Sequence, residues 1–278
     1  MSELLPTLVV LALAGGLAGF SAGLFGIGGG SVIVPALFFA FRSLGVEESV
    51  LMHSCVATSA AVIIVNGWRS VRGHLARNSV ATELLWPRAW WRSYALWIGA
   101  GSFVAATLVA PRLSSETLTV VFAAVALLVA LQFIFGRTER VVRASVPGGA
   151  APPVVGGSIG ALSAVMGIGG GSLSVPFLTL CGMPVHRAVG TAAGFGLAIA
   201  VPATVGFVMS GWGEPGRLAG SLGYVSLPGW AAVVVFSLPA VPLGTALAHR
   251  LRPGPLRRVF GVALALVALN MARIALGG

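Results

Sequence analysis

The sequence contains no aspartate and no lysine. Its acidic side chains are Glu3, Glu47, Glu48, Glu83, Glu116, Glu139 and Glu214, and its seventeen basic residues are all arginine. Without lysine there is no phosphate-loop lysine and no Schiff-base chemistry. Without aspartate there is no Ser-His-Asp triad and no aspartate-dependent phosphoryl transfer. Only two cysteines are present, Cys55 and Cys181, at unrelated spacing in or beside apolar segments. They read as small packing residues rather than a disulfide or a metal site, and no metal or cofactor is implied. Charge as a whole is scarce, at 9% of 278 residues against about 25% in a soluble domain.

Apolar sequence takes the place of charge: 57% of residues are hydrophobic and the mean hydropathy is +0.97. The chain therefore reads as an all-α, polytopic membrane protein. A net charge of +10 could suggest nucleic acid, but the arginines sit in short loops between apolar runs, where they act as topology signals. The opening "MSELLPTLVVLALAGG" lacks a basic leader region and reads as a first transmembrane helix rather than a cleaved signal. Segments 4–24, 48–66, 93–110, 117–135, 153–168, 187–209, 230–248 and 256–276 have the length and apolarity of spans. Between them, "WRSVRGHLARNSVATELLWPRAWWR" reads as the longest polar loop, with Trp86, Trp90, Trp91 and Trp97 as an interfacial belt.

The two halves, 1–143 and 144–278, are copies. Gly26-Ile27-Gly28-Gly29-Gly30-Ser31 matches Gly167-Ile168-Gly169-Gly170-Gly171-Ser172, and Pro35 matches Pro176. Upstream, Gly15, Gly19 and Gly23 correspond to Gly156, Gly160 and Ala164, a small-residue ridge that lets helix backbones approach closely. Downstream, His53 pairs with His186 and Thr58 with Thr191. The loop carrying Arg69, Arg72, Arg77, Arg88 and Arg92 has a counterpart with only Arg217 and Glu214. The Arg112 and Glu116 loop, neutral in balance, has a counterpart with Arg250, Arg252, Arg257 and Arg258. This reversal favours an inverted repeat. Four spans per half would instead make the repeat parallel, unless the short pieces 31–41 and 172–182 enter the membrane separately.

Three glycines in a row, followed by serine and then proline, read as a break in a helix, with glycines that simply let helices touch as the alternative. In lipid such a break is tolerated only where protein or a cavity surrounds it. A short helix is expected to begin near Ser31 and again near Ser172, with serine as its cap. The free N–H groups and dipole of each new helix would offer an anion site without a charged side chain. The expected substrate contacts are Gly28, Gly29, Gly30, Ser31, Gly169, Gly170, Gly171 and Ser172. Thr58, Ser59 and Thr191 would add hydroxyl donors, although Ser and Thr also bond their own helix. His53 and His186 are further candidates, as anion donors or proton carriers; an interfacial place at a helix start is the alternative for both. Asn66, Gln132 and Asn270 read as residues that stitch helices together. No glutamate lies at the centre of a span, so a carboxylate proton relay is not expected.

The paired "GIGGGS…P" segments, the "AT" or "GT" after a His, the "RGHL" stretch and "GYVSLPGW" resemble the TauE/SafE family of sulfite and organosulfonate exporters. The resemblance implies a multi-pass transporter of the bacterial inner membrane. Its expected partners are the lipid bilayer and a small anion such as sulfite or sulfoacetate, with no nucleic acid; homo-oligomerisation stays open. Transport by alternating access follows as the expectation. A carrier for another small solute and a passive anion channel remain alternatives, and no enzyme activity is expected.

Overall fold

The computed structural model describes residues 4–26, 28–87, 89–135, 141–248 and 254–277. Glu3, Ile27, Arg88, Glu139, Arg250, Arg252 and the side chain of Arg257 lie outside the described residues. The architecture is nearly all helical. The order is α1 (Leu4–Phe25), α2 (Gly30–Ser43), α3 (Glu48–Leu75), the short α4 (Thr82–Leu85), α5 (Tyr94–Val104), α6 (Ser115–Phe135), α7 (Gly157–Met166), α8 (Gly171–Leu180), α9 (Val185–Ser210), α10 (Leu227–Ala248) and α11 (Gly254–Gly277). A π turn and a 3-10 turn carry α5 on to Arg112, and a π turn from Pro152 leads into α7. Two-residue strands β1 (Ser221–Leu222) and β2 (Val225–Ser226) form a small hairpin between α9 and α10.

Among the described residues, six helices are long and apolar enough to cross a membrane: α3, α5 with its continuation, α6, α9, α10 and α11. Segment 4–24 is the 22-residue helix α1, whereas 153–168, expected as a full span, falls among the shorter apolar helices. There Gly167, with φ 61°, stops the helix. The polar stretch after Asn66 is not all loop, because α3 continues to Leu75. Its last turns are held inside the protein: Ser70 Oγ donates to Ala22 O at 3.2 Å, and His74 Nε2 lies 3.3 Å from Gly23 O. Arg69 and Arg72 point out of a helix that stays packed on its other face.

Helix directions follow from matched contacts. A Cβ on Gly15 would meet Val233, one on Gly19 would meet Ser237 and one on Gly23 would meet Val241, so α1 and α10 run parallel. Trp230 Nε1 donates to Ala61 O and Ser237 Oγ to Asn66 Oδ1, so α3 runs parallel to both. By contrast α3 and α9 are antiparallel. The C-terminal end of α3 reaches the start of α9 through Ser79, whose carbonyl sits against Gly190. Its N-terminal end reaches the far end of α9 through Tyr224, which stacks on His53 and donates from its backbone N–H to Phe207 O.

The small-residue ridges do what their spacing suggests. A Cβ on Gly19 would lie 2.0 Å from Ser237 O, and one on Gly160 would lie 1.9 Å from Ile98 O on α5. Backbones this close exclude any larger residue. The apolar stretch of α3 is 89% buried within the protein, whereas that of α11 is 22% buried. Thus α3 is a central post, and α11 belongs to the lipid-facing wall.

Candidate functional site

Both glycine runs are real interruptions. In the first, Gly26, Gly28 and Gly29 take left-handed backbone (φ 68°, 74° and 84°), and α2 restarts at Gly30. Gly29 O collects the N–H groups of Val32 and Ile33 at 3.0 and 3.1 Å. In the second, Gly167 N–H closes on Ala164 O and Ile168 N–H on Ser163 O, both at 3.1 Å, and α8 restarts at Gly171. The helix starts are thus one residue earlier than the serines, and the caps are Gly29 and Gly170, with no side-chain cap bond.

The two breaks meet. A Cβ on Gly28 would sit 3.3 Å from the Cα of Gly169, and one on Gly30 would sit 2.2 Å from Gly167 O. Glycine is needed here because two chains cross with no room for side chains. The central helices close the site from both sides: Gly26 packs on Val189 of α9, and Gly167 on Val56 of α3. Ser59 Oγ donates to Gly167 O at 2.7 Å, fixing the second break to α3.

Released from their capping task, Ser31 and Ser172 are 2% and 1% exposed, and both hydroxyls lack a hydrogen-bond partner among the described residues. The N–H groups of Gly30, Gly171, Ser172 and Leu173 likewise make no bond among the described residues. A buried donor without an acceptor costs about 1–3 kcal/mol. Here several are gathered at two helix N-termini, whose dipoles favour negative charge. Ser174, also fully buried and unpartnered, was not singled out from sequence. The only signal is its contrast with Ile33 at the equivalent position.

The threonines are already engaged. Thr58 Oγ1 accepts from Ser226 N–H at 2.9 Å, and Thr191 Oγ1 accepts from Ala81 N–H at 2.8 Å while donating to Arg187 O at 2.7 Å. They hold the segments leading into α10 and α4 rather than offering free donors. His53 is buried near the start of α3, where its Nε2 lies 3.1 Å from Ala110 O. His186 is exposed at the start of α9, as an interfacial histidine would be. The structure brings neither histidine to the meeting point of the breaks.

A narrow cleft lies beside the first break, lined by Ala22, Gly26, Gly28, Gly67, Ser70, Ala193 and Gly196. Ile63 bears on Gly28 from α3; at the equivalent place on α9 stands Gly196, beside Gly170. Among the described residues, no group of three His, Cys or Glu side chains is placed to hold a metal ion.

Comparison with known proteins extends these observations along the whole chain. The sulfite exporter TauE/SafE family matches residues 11–271. A "Probable membrane transporter protein" of Haemophilus influenzae is 34% identical over 261 residues, 93% of this chain and 96% of its own length. One of the same description from Methanocaldococcus jannaschii is 26% identical over 97% of each chain, and one from Xylella fastidiosa 28% over 95% of each. No solved structure matches. With a match along nearly its full length and, among the described residues, six helices long and apolar enough to cross a membrane, the chain belongs to the sulfite exporter TauE/SafE family and is a multi-pass inner-membrane transporter.

Proposed function

We propose that the protein exports a small sulfur-containing oxyanion, sulfite or an organosulfonate, by alternating access. The observation that carries this reading is the matched pair of unpartnered, buried hydroxyls, Ser31 and Ser172, each in the first turn of a helix that starts at a glycine break. Backbone N–H groups of Gly30, Gly171 and Ser172 supply the remaining donors. Glycines 28, 29, 169 and 170 let the two chains come together. An anion with several acceptor oxygens satisfies donors from both halves at once, with no charged side chain at the contact.

The exchanged contacts support an inverted repeat. Gly26 packs on Val189 where Gly167 packs on Val56, and Thr58 holds Ser226 where Thr191 holds Ala81. In this reading the end carrying Arg69, Arg72, Arg77 and Arg187 faces the cytoplasm, and the end carrying Arg42, Glu47, Glu48, Glu116 and Glu214 faces outward. A membrane potential negative inside then drives anion export, by about 2.3 kcal/mol per charge per 100 mV.

Titration of purified protein with sulfite and with sulfoacetate tests the reading. Ser31→Ala and Ser172→Ala should each weaken binding about tenfold, the effect of losing one hydrogen bond to a charged group. Thermal stability should stay the same or rise, since an unsatisfied hydroxyl is removed. Unchanged affinity in both variants overturns the site.

A further inference from the structure

Asn66 lies within the central helix α3 and is 0% exposed, yet only half of its amide is used. Ser237 Oγ donates to Asn66 Oδ1 at 2.9 Å and stitches α3 to α10, but the amide nitrogen Nδ2 has no partner among the described residues. Several contacts fix where this amide sits. One turn earlier on α3, Ile63 bears on Gly28 of the first break, and one turn later Ser70 donates to Ala22 O of α1. Ser237 lies against Gly19 of α1, and the carbonyl of the preceding residue, Ala18, is the one that Gly29 packs on. Gly67 and Ser70 line the cleft beside the same break. A buried donor is thus left idle next to the first glycine run.

The other half shows that the frame does not need this polar pair. In the register that matches His53 with His186 and Thr58 with Thr191, Ile199 of α9 takes the place of Asn66. Gly160 packs on the carbonyl of Ile98 as Gly19 packs on that of Ser237, so Ile98 takes the place of Ser237. Both isoleucines are buried, 2% and 0% exposed, in one apolar cluster. An apolar pair therefore fills the equivalent position with no side-chain donor left over. A buried amide nitrogen without an acceptor lowers stability, so the first half carries a penalty that its copy avoids. The nitrogen of a carboxamide can only donate, and a ligand that relieves it has to bring an acceptor.

We propose that Asn66 is a further substrate-contacting residue: its Nδ2 donates to an oxygen of the transported anion, on the side of the first break only. Ser237 is its positioning residue, because the bond to Oδ1 turns the nitrogen away from α10. This role rests on the anion site proposed above and deepens it. Ser31 and Ser172 come as a matched pair, whereas Asn66 has no match and makes the two sides of the site chemically unequal.

Titration of the purified protein with sulfoacetate tests the role, since a carboxylate and a sulfonate both stay ionised between about pH 5.5 and about pH 8. Asn66→Leu, close in shape but unable to donate, should weaken binding about tenfold while Tm stays level or rises. A residue that only stitches helices would lower Tm and leave affinity alone. Asn66→Asp keeps the bond from Ser237 and exchanges the donor for an acceptor. At about pH 8 it should bind more weakly than Asn66→Leu, and at about pH 5.5 it should recover as the carboxyl takes up a proton and can donate. Ser31→Ala and Ser172→Ala run beside these variants. Weaker binding in the serine variants, with parent affinity in an Asn66 variant that folds, overturns the role of Asn66 and leaves the paired-break site standing. Weaker binding in the Asn66 variants alone overturns the paired-break site and keeps Asn66 as a contact. Failure of both Asn66 variants to fold makes the residue structural and overturns its role, and a parent protein that binds no anion overturns both readings.

Discussion

Six residues in the same order, Gly-Ile-Gly-Gly-Gly-Ser, occur twice in this chain and adopt two different backbones. The first copy is left-handed at Gly26, Gly28 and Gly29, whereas the second is left-handed only at Gly167, with Gly170 right-handed at φ −54°. The first is pressed by Ile63, and the second faces Gly196. What surrounds them is far more alike: each threonine accepts from a backbone N–H of the opposite half, and each small-residue ridge packs on a helix of the opposite half. The frame is shared and the hinge is not. Under the proposed alternating access, unequal breaks would let one end of the path close while the other opens.

Substitutions can sharpen the contrast. Gly29→Ala should have the largest effect: its φ is 84° and the new Cβ would meet Ala18 O at 2.5 Å. Left-handed strain and overpacking together should cost about 3 kcal/mol or more. At Gly170 the backbone is already right-handed and the nearest atom is Gly196 N at 2.9 Å, so Gly170→Ala should cost about 1–2 kcal/mol. Comparing Tm values in detergent checks the difference; equal losses would mean the two hinges are interchangeable.

The shared frame should respond evenly. Thr58→Val and Thr191→Val each strand one backbone N–H, of Ser226 or Ala81, and each should lower stability by about 1–3 kcal/mol. A large gap between the two in chemical or thermal unfolding would break the equivalence of the halves. The smallest effect on stability belongs to Gly196→Ala. The added methyl would have Gly170 N as its nearest neighbour, at 3.6 Å, an ordinary contact. Tm should barely move, while sulfite affinity falls about tenfold as the methyl narrows the cleft beside the first break. Retained affinity would separate the cleft from the site.

The glycine runs announced themselves in sequence because three consecutive glycines have no reason to be in a stable apolar helix. Their meeting, and the unpartnered state of Ser31 and Ser172, required coordinates, since the chain positions involved are about half the protein apart. The threonines illustrate a further limit. Each was visible as an equivalent hydroxyl, but its partner is a featureless N–H 168 or 110 positions away, which no local pattern marks. The end of α3 was misread for a simpler reason. Arg69 and Arg72 look like loop residues in a linear scan, yet long side chains reach out from a helix whose other face stays packed through Ser70 and His74. The legible part of the site was its backbone chemistry, and the hidden part was which side chains were already occupied.

The buried position of α3 also bears on how the molecule is made. Its groups find their partners late in synthesis: Ser59 waits for Gly167, Thr58 for Ser226, Ala61 O for Trp230 and Asn66 for Ser237. When the ribosome has finished the first half, Ser70, His74 and His53 of this helix already have partners, but Ser59, Thr58 and Asn66 do not. The helix must be sheltered at the insertion machinery, or bonded provisionally within its own turns, until the second half emerges. Assembly is therefore a joint act of both halves, and a chain stopped midway would leave its central post facing lipid with those hydroxyls and its amide unanswered.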